Sequence, residues 1–477
     1  MEKKIRWYDY ITINIYYFAL TARSQTLTPL ILPLLVQQFI GEASKGTAYG
    51  NLRLWSLMIA LLVQALFGMI SDRSTSKWGR RRPFIFAGTL LEISVFIAIG
   101  VIAGTLQGTL GYWALFIAIM VSMVFSNIAH AATQGLIPDL VPDNKRGSFS
   151  GFKAFFELPA PLIFVSFVIS KMVSAGNIWG ALVVLIIVML VCMGLTMFVR
   201  ETPQKQAPYP MDWKSFGRLA LMTLAFTVVI LGVGELVKLV IKQTDLMQPA
   251  PAFLLTAIAG ILGMAVAVGI GVWASLKISL GGDAKRNPSF VWWVINRLAF
   301  LVAATNIASF VLYFIQERFP DMQGAAAAGP TAMLTMFVGV AILVASLPAG
   351  WLTDKFGKKP LIAFSGLLAA LGTIIVVLAS GMTMLYVGGL LIGIGMGIFY
   401  SANWALGTEI VPPMQAGRYL GLSNLAGAGA GAIGAYIGGP IGDGRGYILL
   451  MGIFGFLFLI STLALIGIKE PPKVVSE

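Results

Sequence analysis

Residues 68–83, GMISDRSTSKWGRRRP, place an aspartate four positions after a glycine and then continue into a basic loop that ends in proline. Residues 350–360, GWLTDKFGKKP, repeat this order in a shorter form. A second repeated segment follows each copy, since residues 138–142 (PDLVP) precede Arg146 and residues 408–412 (TEIVP) precede Arg418. Two motifs that recur in the same order indicate two similar halves, as internal repeats of membrane proteins commonly do.

The composition indicates that much of the surface faces lipid. Hydrophobic residues form 58% of the 477 residues and charged residues only 11%, less than half of the roughly 25% usual in soluble domains. The mean hydropathy of +0.86 agrees. A single core could not bury this much apolar surface, so we expect a multi-pass membrane protein.

Apolar stretches near the roughly 20 residues needed to cross a bilayer occur along the whole chain. We predict an all-α membrane protein with fourteen spans, arranged as six, two and six. They cover residues 10–40, 52–70, 83–102, 112–137, 149–173, 178–199, 216–240, 252–276, 290–315, 332–352, 361–380, 384–410, 420–441 and 447–468.

The distribution of basic residues sets the predicted orientation. With both termini in the cytoplasm, 23 of the 33 Lys and Arg residues fall in cytoplasmic loops and 5 in outer loops. This bias explains the net charge of +13 without a nucleic-acid partner. We expect a six-helix bundle at residues 1–200, a linker with two extra helices at 201–288, and a second bundle at 289–477.

The repeated loops have a mechanical interpretation as a cytoplasmic gate. Gly68 would let two helices approach closely, and Asp72 would pair with basic side chains or with a helix N-terminus. The alternative is that these charges only fix the topology. The predicted gate residues are Gly68, Asp72, Arg73, Gly79, Arg80, Asp139, Arg146, Gly350, Asp354, Lys355, Gly357, Lys358, Glu409 and Arg418. Asp139 and Glu409 are expected to act with Arg146 and Arg418.

Both loops resemble the signature loop of the major facilitator superfamily. Residues 71–85 and residues 136–143 with Arg146 are similar to the glycoside–pentoside–hexuronide transporters and the plant sucrose–proton symporters, as is the Leu27-Thr28-Pro29 segment. The resemblance implies a major facilitator fold, two bundles that alternate access to a midplane site, and transport of a small polar solute.

This chain departs from those families at several positions. Sodium-coupled members of the glycoside group carry paired aspartates in span two, where this chain offers only Ser56 and Gln64. Gln134 stands where the sucrose carriers have an arginine, and Lys153 is at best a replacement for their cationic contact in span five. The substrates of those families therefore cannot be assigned to this chain, and a carboxylate-based sodium site of that type is disfavoured.

Ionisable residues inside spans are costly and therefore suggest function. Arg23 either lines the pathway or pairs with an acid on a neighbouring helix. Glu92 is either a structural partner of an arginine such as Arg297 or a proton carrier. Arg297 follows Trp292 and Trp293, which we interpret as an interfacial belt, and its side chain could also extend back to the interface.

Further polar residues complete the predicted site. Lys153 and Glu157 lie one helical turn apart and can pair. Glu235 and Lys238 can also pair, and we expect no transport role for this second pair. The predicted pathway residues are Arg23, Asn127, Gln134, Lys153, Glu157, Arg297 and Asn403, and the coupling candidates are Glu92, Glu157 and His130.

These observations favour a secondary carrier of a sugar or glycoside, with protons as the coupling ion, in a bacterial inner membrane. The alternatives are a carrier or exporter of amphipathic, lipid-like or drug-like molecules, and a membrane assembly factor that transports nothing. We expect no enzyme activity, cofactor, metal or nucleic-acid partner, because one histidine and one cysteine form no catalytic or metal-binding set. The expected partners are the solute, a proton and the bilayer, and we expect a monomer.

Overall fold

The structure is a computed structural model that describes residues 5–203, 210–279, 287–411 and 416–469. The side chains of Asp354 and of residues 416–426 lie outside this description. Within these ranges the chain forms helices joined by short turns and contains no strand. Long apolar runs favour this solution because a helix satisfies its own backbone hydrogen bonds where water is absent.

The chain divides into two compact units. Unit 1 comprises Met1–Gly41, Trp55–Gly217 and Asp321–Ala332. Its helices are α1 Asp9–Thr12, α2 Ile15–Thr26, α3 Leu32–Ile40, the larger part of α4 Lys45–Asp72, α5 Arg82–Thr105, α6 Gly108–Gln134, α7 Leu136–Leu140, α8 Arg146–Glu157, α9 Pro159–Phe164, α10 Ser170–Ser174 and α11 Ile178–Thr196.

Unit 2 comprises Glu42–Leu54, Arg218–Pro320 and Met333–Glu477. Its helices are the first turns of α4, most of α12 Trp213–Thr244, α13 Pro249–Ser279, α14 Pro288–Arg318, most of α15 Ala328–Phe356, α16 Lys358–Val377, α17 Met382–Ile410, α18 Ala416–Arg445 and α19 Tyr447–Ala464. The two helices of the predicted linker therefore cluster with the C-terminal helices.

Twelve helical stretches in the described part of the chain are long and apolar enough to cross a membrane. The other two predicted spans also coincide with helix. One is built from α1, α2 and α3, and the other is α18. The protein is thus a multi-pass membrane protein by its helices, and the count of fourteen stays a prediction.

The first and fifth predicted spans are each interrupted. A π-helical turn, Leu27–Ile31, joins α2 to α3 and contains Pro29, which has no backbone N–H to donate. A second π-helical turn, Val165–Ile169, joins α9 to α10. The first interruption begins four residues after Arg23.

Helix α4 begins earlier than the predicted span at residue 52 because a distant residue caps it. The Asp443 carboxylate accepts hydrogen bonds from the backbone N–H of Gly46 at 2.8 Å and of Thr47 at 2.7 Å. A carboxylate at this position also favours the positive end of the helix dipole. The cap comes from a residue nearly 400 positions away, so no local pattern could have revealed it.

The two linker helices pack against the rest of unit 2. The Phe226 ring of α12 lies against Gly271 of α13 and Gly429 of α18, where an added Cβ would collide with it. The Tyr436 hydroxyl donates to Glu235 at 2.7 Å, and the Glu235–Lys238 pair forms as expected at 2.6 Å. These contacts make α12 and α13 an integral part of unit 2.

Candidate functional sites

Unit 1 contains a buried ion pair between Arg23 of α2 and Glu92 of α5. Ser122 of α6 joins it, because Arg23 Nη2 donates to Ser122 Oγ at 2.8 Å and Ser122 Oγ donates to Glu92 Oε1 at 3.0 Å. Glu92 is fully buried and Arg23 is 6% exposed. The second carboxylate oxygen, Glu92 Oε2, is buried without a hydrogen-bond partner in the described chain.

This geometry corrects the expected partner of Glu92. The arginine beside it is Arg23, whereas Arg297 belongs to unit 2. A helix in the membrane can place an acid and a base far apart in sequence at the same depth, and sequence spacing alone could not choose between two arginines. Arg23 accordingly takes the paired arrangement that was its alternative interpretation, and its place on a pathway stays a prediction.

The other polar residues of unit 1 lie on α6 and α8. His130 Nε2 and Gln134 Nε2 are 3.2 Å apart, and the Asn127 side chain donates to the Met123 carbonyl at 2.8 Å. Lys153 and Glu157 form the expected pair, with 3.3 Å between Nζ and Oε2. The Lys153 amine also lies 4.7 Å from the centre of the Tyr17 ring.

A charge cluster forms around Arg81, a residue that the sequence analysis left out of the gate. Arg81 Nε donates to Asp139 Oδ2 at 2.8 Å, Nη1 donates to Ser71 Oγ at 2.9 Å, and Nη2 pairs with Asp72. Arg80 pairs with Asp139 as well. Burial alone would lower the pKa of Arg81, but the hydrogen bonds and negative charges of Asp139 and Asp72 outweigh it and raise the pKa.

Arg146 does not pair with Asp139, contrary to the expectation that these two residues act together in the cytoplasmic gate. It pairs with its neighbour Asp143 at 2.7 Å and donates to the Pro138 carbonyl at 3.3 Å, while Asp139 turns to the arginines of the other loop. The backbone between Asp139 and Arg146 explains this, because a turn separates α7 from α8. Arg73 donates to backbone carbonyls at Met69 and Pro210.

Glu201, just beyond α11, was also absent from the sequence prediction. Its carboxylate accepts hydrogen bonds from the backbone N–H of Arg81 at 2.9 Å and of Arg82 at 3.2 Å, at the start of α5. Burial raises the pKa of Glu201, although these hydrogen bonds oppose it. Gly79 lies against the Glu201 side chain with φ 107°, a backbone conformation that favours glycine. The sequence feature that could have pointed to Glu201 is its position as an acidic residue directly after the sixth predicted span.

The second repeated loop, residues 350–360, belongs to unit 2. Lys358 pairs with Glu409, and Gly357 has φ 88°. The Lys355 amine lies 5.1 Å from the Trp351 ring centre. The predicted roles of the Asp354 and Arg418 side chains lie outside the described residues.

The close helix approach expected at the two motif glycines is wrong for this structure. A Cβ on Gly68 would meet no atom within 4 Å, and on Gly350 it would meet only Ser401 Oγ at 3.9 Å, an ordinary contact. The motif glycines that the backbone does require are Gly79 and Gly357, which turn the loops. Sequence could not distinguish these cases because all four positions are glycine in the same motif.

Unit 2 holds a polar cluster around Arg297 of α14. Arg297 Nη1 donates to Asn403 Oδ1 at 3.0 Å, and Asn403 Nδ2 donates to Asn296 Oδ1 at 2.8 Å. Asn296 Nδ2 in turn donates to the Ser461 carbonyl at 2.8 Å. The sequence had grouped Arg297 and Asn403 as pathway residues, and the structure brings these two into contact.

Trp293 corrects the expectation of an interfacial belt. It is fully buried, and its Nε1 donates to the Asn403 carbonyl at 2.9 Å. Trp292 is 42% exposed and alone fits the belt interpretation. Adjacent helical residues point about 100° apart, so Trp293 can face the protein interior while Trp292 faces outward.

No set of three His, Cys, Asp or Glu side chains that could hold a metal ion occurs among the described residues.

Comparison with known proteins finds similarity over parts of the chain. Residues 298–477 match the family model described as Major Facilitator Superfamily. The minor myo-inositol transporter IolF of Bacillus subtilis is 33% identical over 94 residues, which is 20% of this chain and 21% of that protein. The sucrose transport protein SUT1 of Oryza sativa subsp. japonica is 50% identical over 40 residues, 8% of this chain and 7% of that protein.

A third relative, the class H tetracycline resistance protein of Pasteurella multocida, is 31% identical over 112 residues, 23% of this chain and 27% of that protein. The chain thus spans less than a third of each of these relatives.

Solved structures share the fold over nearly the whole chain. The crystal structure of a D-xylose–proton symporter has a TM-score of 0.64 at 18% identity and covers 97% of this chain and 98% of its own. A peptide transporter, POT, has a TM-score of 0.65 at 15% identity, with 96% and 93% covered. The chain thus shares the fold of these transporters, and its residues 298–477 are similar to the Major Facilitator Superfamily.

Proposed function

We propose that this protein is a secondary active transporter of a small polar solute, with a sugar or glycoside as the favoured cargo. The observation that carries the proposal is the presence of hydrogen-bonded polar clusters inside apolar helices of both units. These are Arg23, Glu92 and Ser122 in unit 1 and Arg297, Asn296 and Asn403 in unit 2. Polar groups at such depth are costly, and pathways are where membrane proteins usually retain them.

The names of the relatives support a hydroxyl-rich cargo. Two of them are transporters of myo-inositol and sucrose, and one fold neighbour is a D-xylose–proton symporter. Amide, guanidinium and indole groups suit such a solute, because they donate and accept hydrogen bonds beside flat apolar faces. This chain supplies all three in the Arg297 cluster.

Proton coupling is proposed to run through Glu92. Protonation of this carboxylate would remove the charge that holds Arg23 and would free the guanidinium to reorient. Glu92 Oε2 is buried without a hydrogen-bond partner among the described residues, so it is the oxygen that could take the proton. Glu157 and His130 remain the other coupling candidates, and Lys153 keeps Glu157 paired in this conformation.

Alternating access completes the proposed mechanism. We propose fourteen spans with both termini in the cytoplasm of a bacterial cell, and a monomer in the inner membrane. The Arg81–Asp72–Asp139 cluster would then lie at the cytoplasmic end of unit 1 and would break and re-form during each cycle.

A second candidate function is export of an amphipathic or drug-like molecule. This candidate is favoured by the 31% identity with a tetracycline resistance protein, which extends over 112 residues. It is also favoured by a pocket within unit 2 that is lined almost entirely by aliphatic side chains, among them Ile307, Val338, Ile392 and Met396.

Uptake by purified protein in liposomes tests the first proposal. We expect a sugar or polyol from a broad panel to accumulate when the interior is alkaline, and an ionophore that collapses the pH gradient to prevent this. Glu92→Gln should abolish gradient-driven accumulation while leaving exchange of internal for external solute. Glu235→Gln, which alters a local pair on α12, is the control and should transport normally.

The alternatives predict different results. Transport of lipophilic cations or tetracyclines without any sugar flux would favour the exporter. A folded protein that moves no solute in the panel would contradict the proposal and would favour an assembly factor.

A further inference from the structure

We propose that Arg297 is a binding site for an anionic group, a carboxylate or a phosphate, carried by the transported solute. This inference rests on the proposed transport function and gives the cargo a charge. Its basis is a guanidinium inside a membrane-spanning helix that donates a hydrogen bond to Asn403 but forms no ion pair with any described residue.

Among the described residues, Arg297 lacks the ion-pair partner that three other basic groups within helical spans have. Arg23 pairs with Glu92, Lys153 with Glu157, and Lys238 with Glu235. No acidic side chain in the described chain forms an ion pair with Arg297, whose only hydrogen-bond partner there is the neutral Asn403.

Part of the guanidinium has no hydrogen-bond partner among the described residues. Arg297 Nε is buried and makes no hydrogen bond with any described residue. A guanidinium has five N–H donors, and a single bond through Nη1 leaves most of them unused. An unpaired cation in a low-dielectric region is unfavourable, so a bound anion would relieve a cost that the protein otherwise bears.

The surrounding residues hold this guanidinium in place. Asn403 is fixed by Asn296, and Asn296 by Ser461, and all three of these side chains are buried. The guanidinium carbon lies 5.8 Å from the ring centre of Trp293 and 5.5 Å from that of Trp404. Cation–π contacts of this kind orient the charge without neutralising it.

The chemistry selects the class of ligand. Arginine presents a planar fork that binds carboxylates and phosphates through two parallel hydrogen bonds. Trp404 is 42% exposed, so the cluster has an accessible aromatic face beside the charge. A small solute that joins a ring or hydroxyl-rich body to one acidic group would match both features.

The headgroup of an anionic phospholipid offers the same chemistry, so the test must separate the two sources. The full chain is placed in nanodiscs of phosphatidylcholine alone, and binding of D-glucuronate, D-glucose 6-phosphate and D-glucose is measured by calorimetry. The same nanodiscs with phosphatidylglycerol provide the lipid arm, read by thermal unfolding.

We expect at least one anionic sugar to bind about tenfold or more tightly than glucose, which corresponds to about 1.4 kcal/mol. Arg297→Gln should abolish this preference, and Arg297→Lys should retain part of it because the charge remains. Lys238→Gln removes a cation of the same sign from a local pair in unit 2 and should keep the preference. Thermal unfolding of each variant verifies that it is folded.

Three outcomes would overturn the inference. These are equal affinity for glucose and both anions, a preference that survives Arg297→Gln, and an Arg297-dependent stabilisation by phosphatidylglycerol without any response to soluble anions. Uptake assays keep this failure distinct from failure of the proposed function. Transport of a neutral sugar by wild type without any preference for anions would leave the transporter intact, whereas anion binding by wild type without any flux would leave only the site.

Discussion

Arg23 and Arg297 each place a guanidinium inside a membrane-spanning helix, but their surroundings differ. Arg23 has a carboxylate and a serine beside it, while Arg297 has amides and indole rings. The first arrangement neutralises the charge and the second only orients it. Substitution of Arg23 is therefore expected to destabilise the protein, whereas substitution of Arg297 is expected to weaken binding of an anionic solute.

Removing Arg23 should strongly destabilise the protein. Arg23→Ala leaves the fully buried Glu92 carboxylate without its counter-charge, and breaking such a pair typically costs about 3–5 kcal/mol. Thermal unfolding of detergent-purified protein measures the effect. The double substitution Arg23→Met with Glu92→Leu should recover much of the loss, and Lys153→Ala, at a half-exposed pair, should cost less than about 1 kcal/mol. A stable Arg23→Ala protein would contradict the proposed importance of the pair.

Two glycines of the first motif should respond oppositely to alanine. Gly79→Ala places a Cβ against Glu201 at φ 107°, and holding a non-glycine residue there costs about 1–3 kcal/mol. Gly68→Ala meets no neighbouring atom and lies within helix α4, so it should raise the stability by up to about 1 kcal/mol. The comparison uses thermal unfolding of both variants, and a neutral Gly79→Ala would show that the loop can relax.

At the scale of elements, helix ends and helix faces in this protein are fixed by distant partners. Glu201 caps the start of α5, and Asp443 caps the start of α4. Phe226 connects α12 with α13 and α18. These contacts explain why loop residues and the linker helices contribute to the stability of the two units.

Glu201 should give the first unit a pH-dependent stability. Its pKa is raised above the ordinary value of 4.5, so the folded protein holds this proton more tightly than the unfolded chain. The associated contribution to the free energy of unfolding is complete below pH 4.5 and is lost as the pH rises through the folded pKa.

The measurement compares wild type with Glu201→Gln, which keeps an oxygen acceptor and cannot titrate. We expect the stability of wild type relative to Glu201→Gln to fall as the pH rises above 4.5 and through the raised pKa of the folded state. Glu201→Ala removes the acceptor for two backbone N–H groups and should cost about 1–3 kcal/mol at any pH. A difference between wild type and Glu201→Gln that is independent of pH would contradict the raised pKa.

Packing of α12 should be specific to one face. Phe226 is 2% exposed and Leu224, on the same helix, is 61% exposed. Phe226→Ala should lower the stability by about 3–5 kcal/mol, as large-to-small substitutions in cores do. Leu224→Ala should have little effect, because its side chain is exposed to lipid in either case. Equal effects in thermal unfolding would mean that α12 and α13 act only as spacers.

At the scale of the whole molecule, the charge distribution and the helices agree on a polytopic membrane protein. Twelve described stretches could cross a bilayer, and two further helical segments coincide with the remaining predicted spans. With an even number of spans, both termini lie on one side.

Cysteine labelling tests this topology. The only native cysteine, Cys192, is buried, and Cys192→Ser provides the background. Cysteines introduced by Lys3→Cys and Lys473→Cys should react with an impermeant maleimide only in inverted vesicles, and Lys171→Cys should react in intact cells. Opposite accessibility of the two terminal positions would exclude fourteen spans.

Composition and sequence pattern were enough to predict an all-helical membrane protein with two similar halves and several ionisable residues inside its spans. These follow from local properties, because apolar length and repeated motifs can be read without knowing any contact. The sequence also anticipated the Lys153–Glu157 and Glu235–Lys238 pairs, since both lie within one helical turn.

Which distant charges meet depends on the tertiary packing of the helices. Glu92 pairs with Arg23, Asp139 pairs with Arg81, and Arg297 donates to Asn403 with no acidic partner among the described residues. Pairing between helices depends on the depth and rotation of each helix, and packing sets both. For the same reason the repeated loops, which first revealed the two halves, did not reveal that Gly79 rather than Gly68 is held against a neighbour.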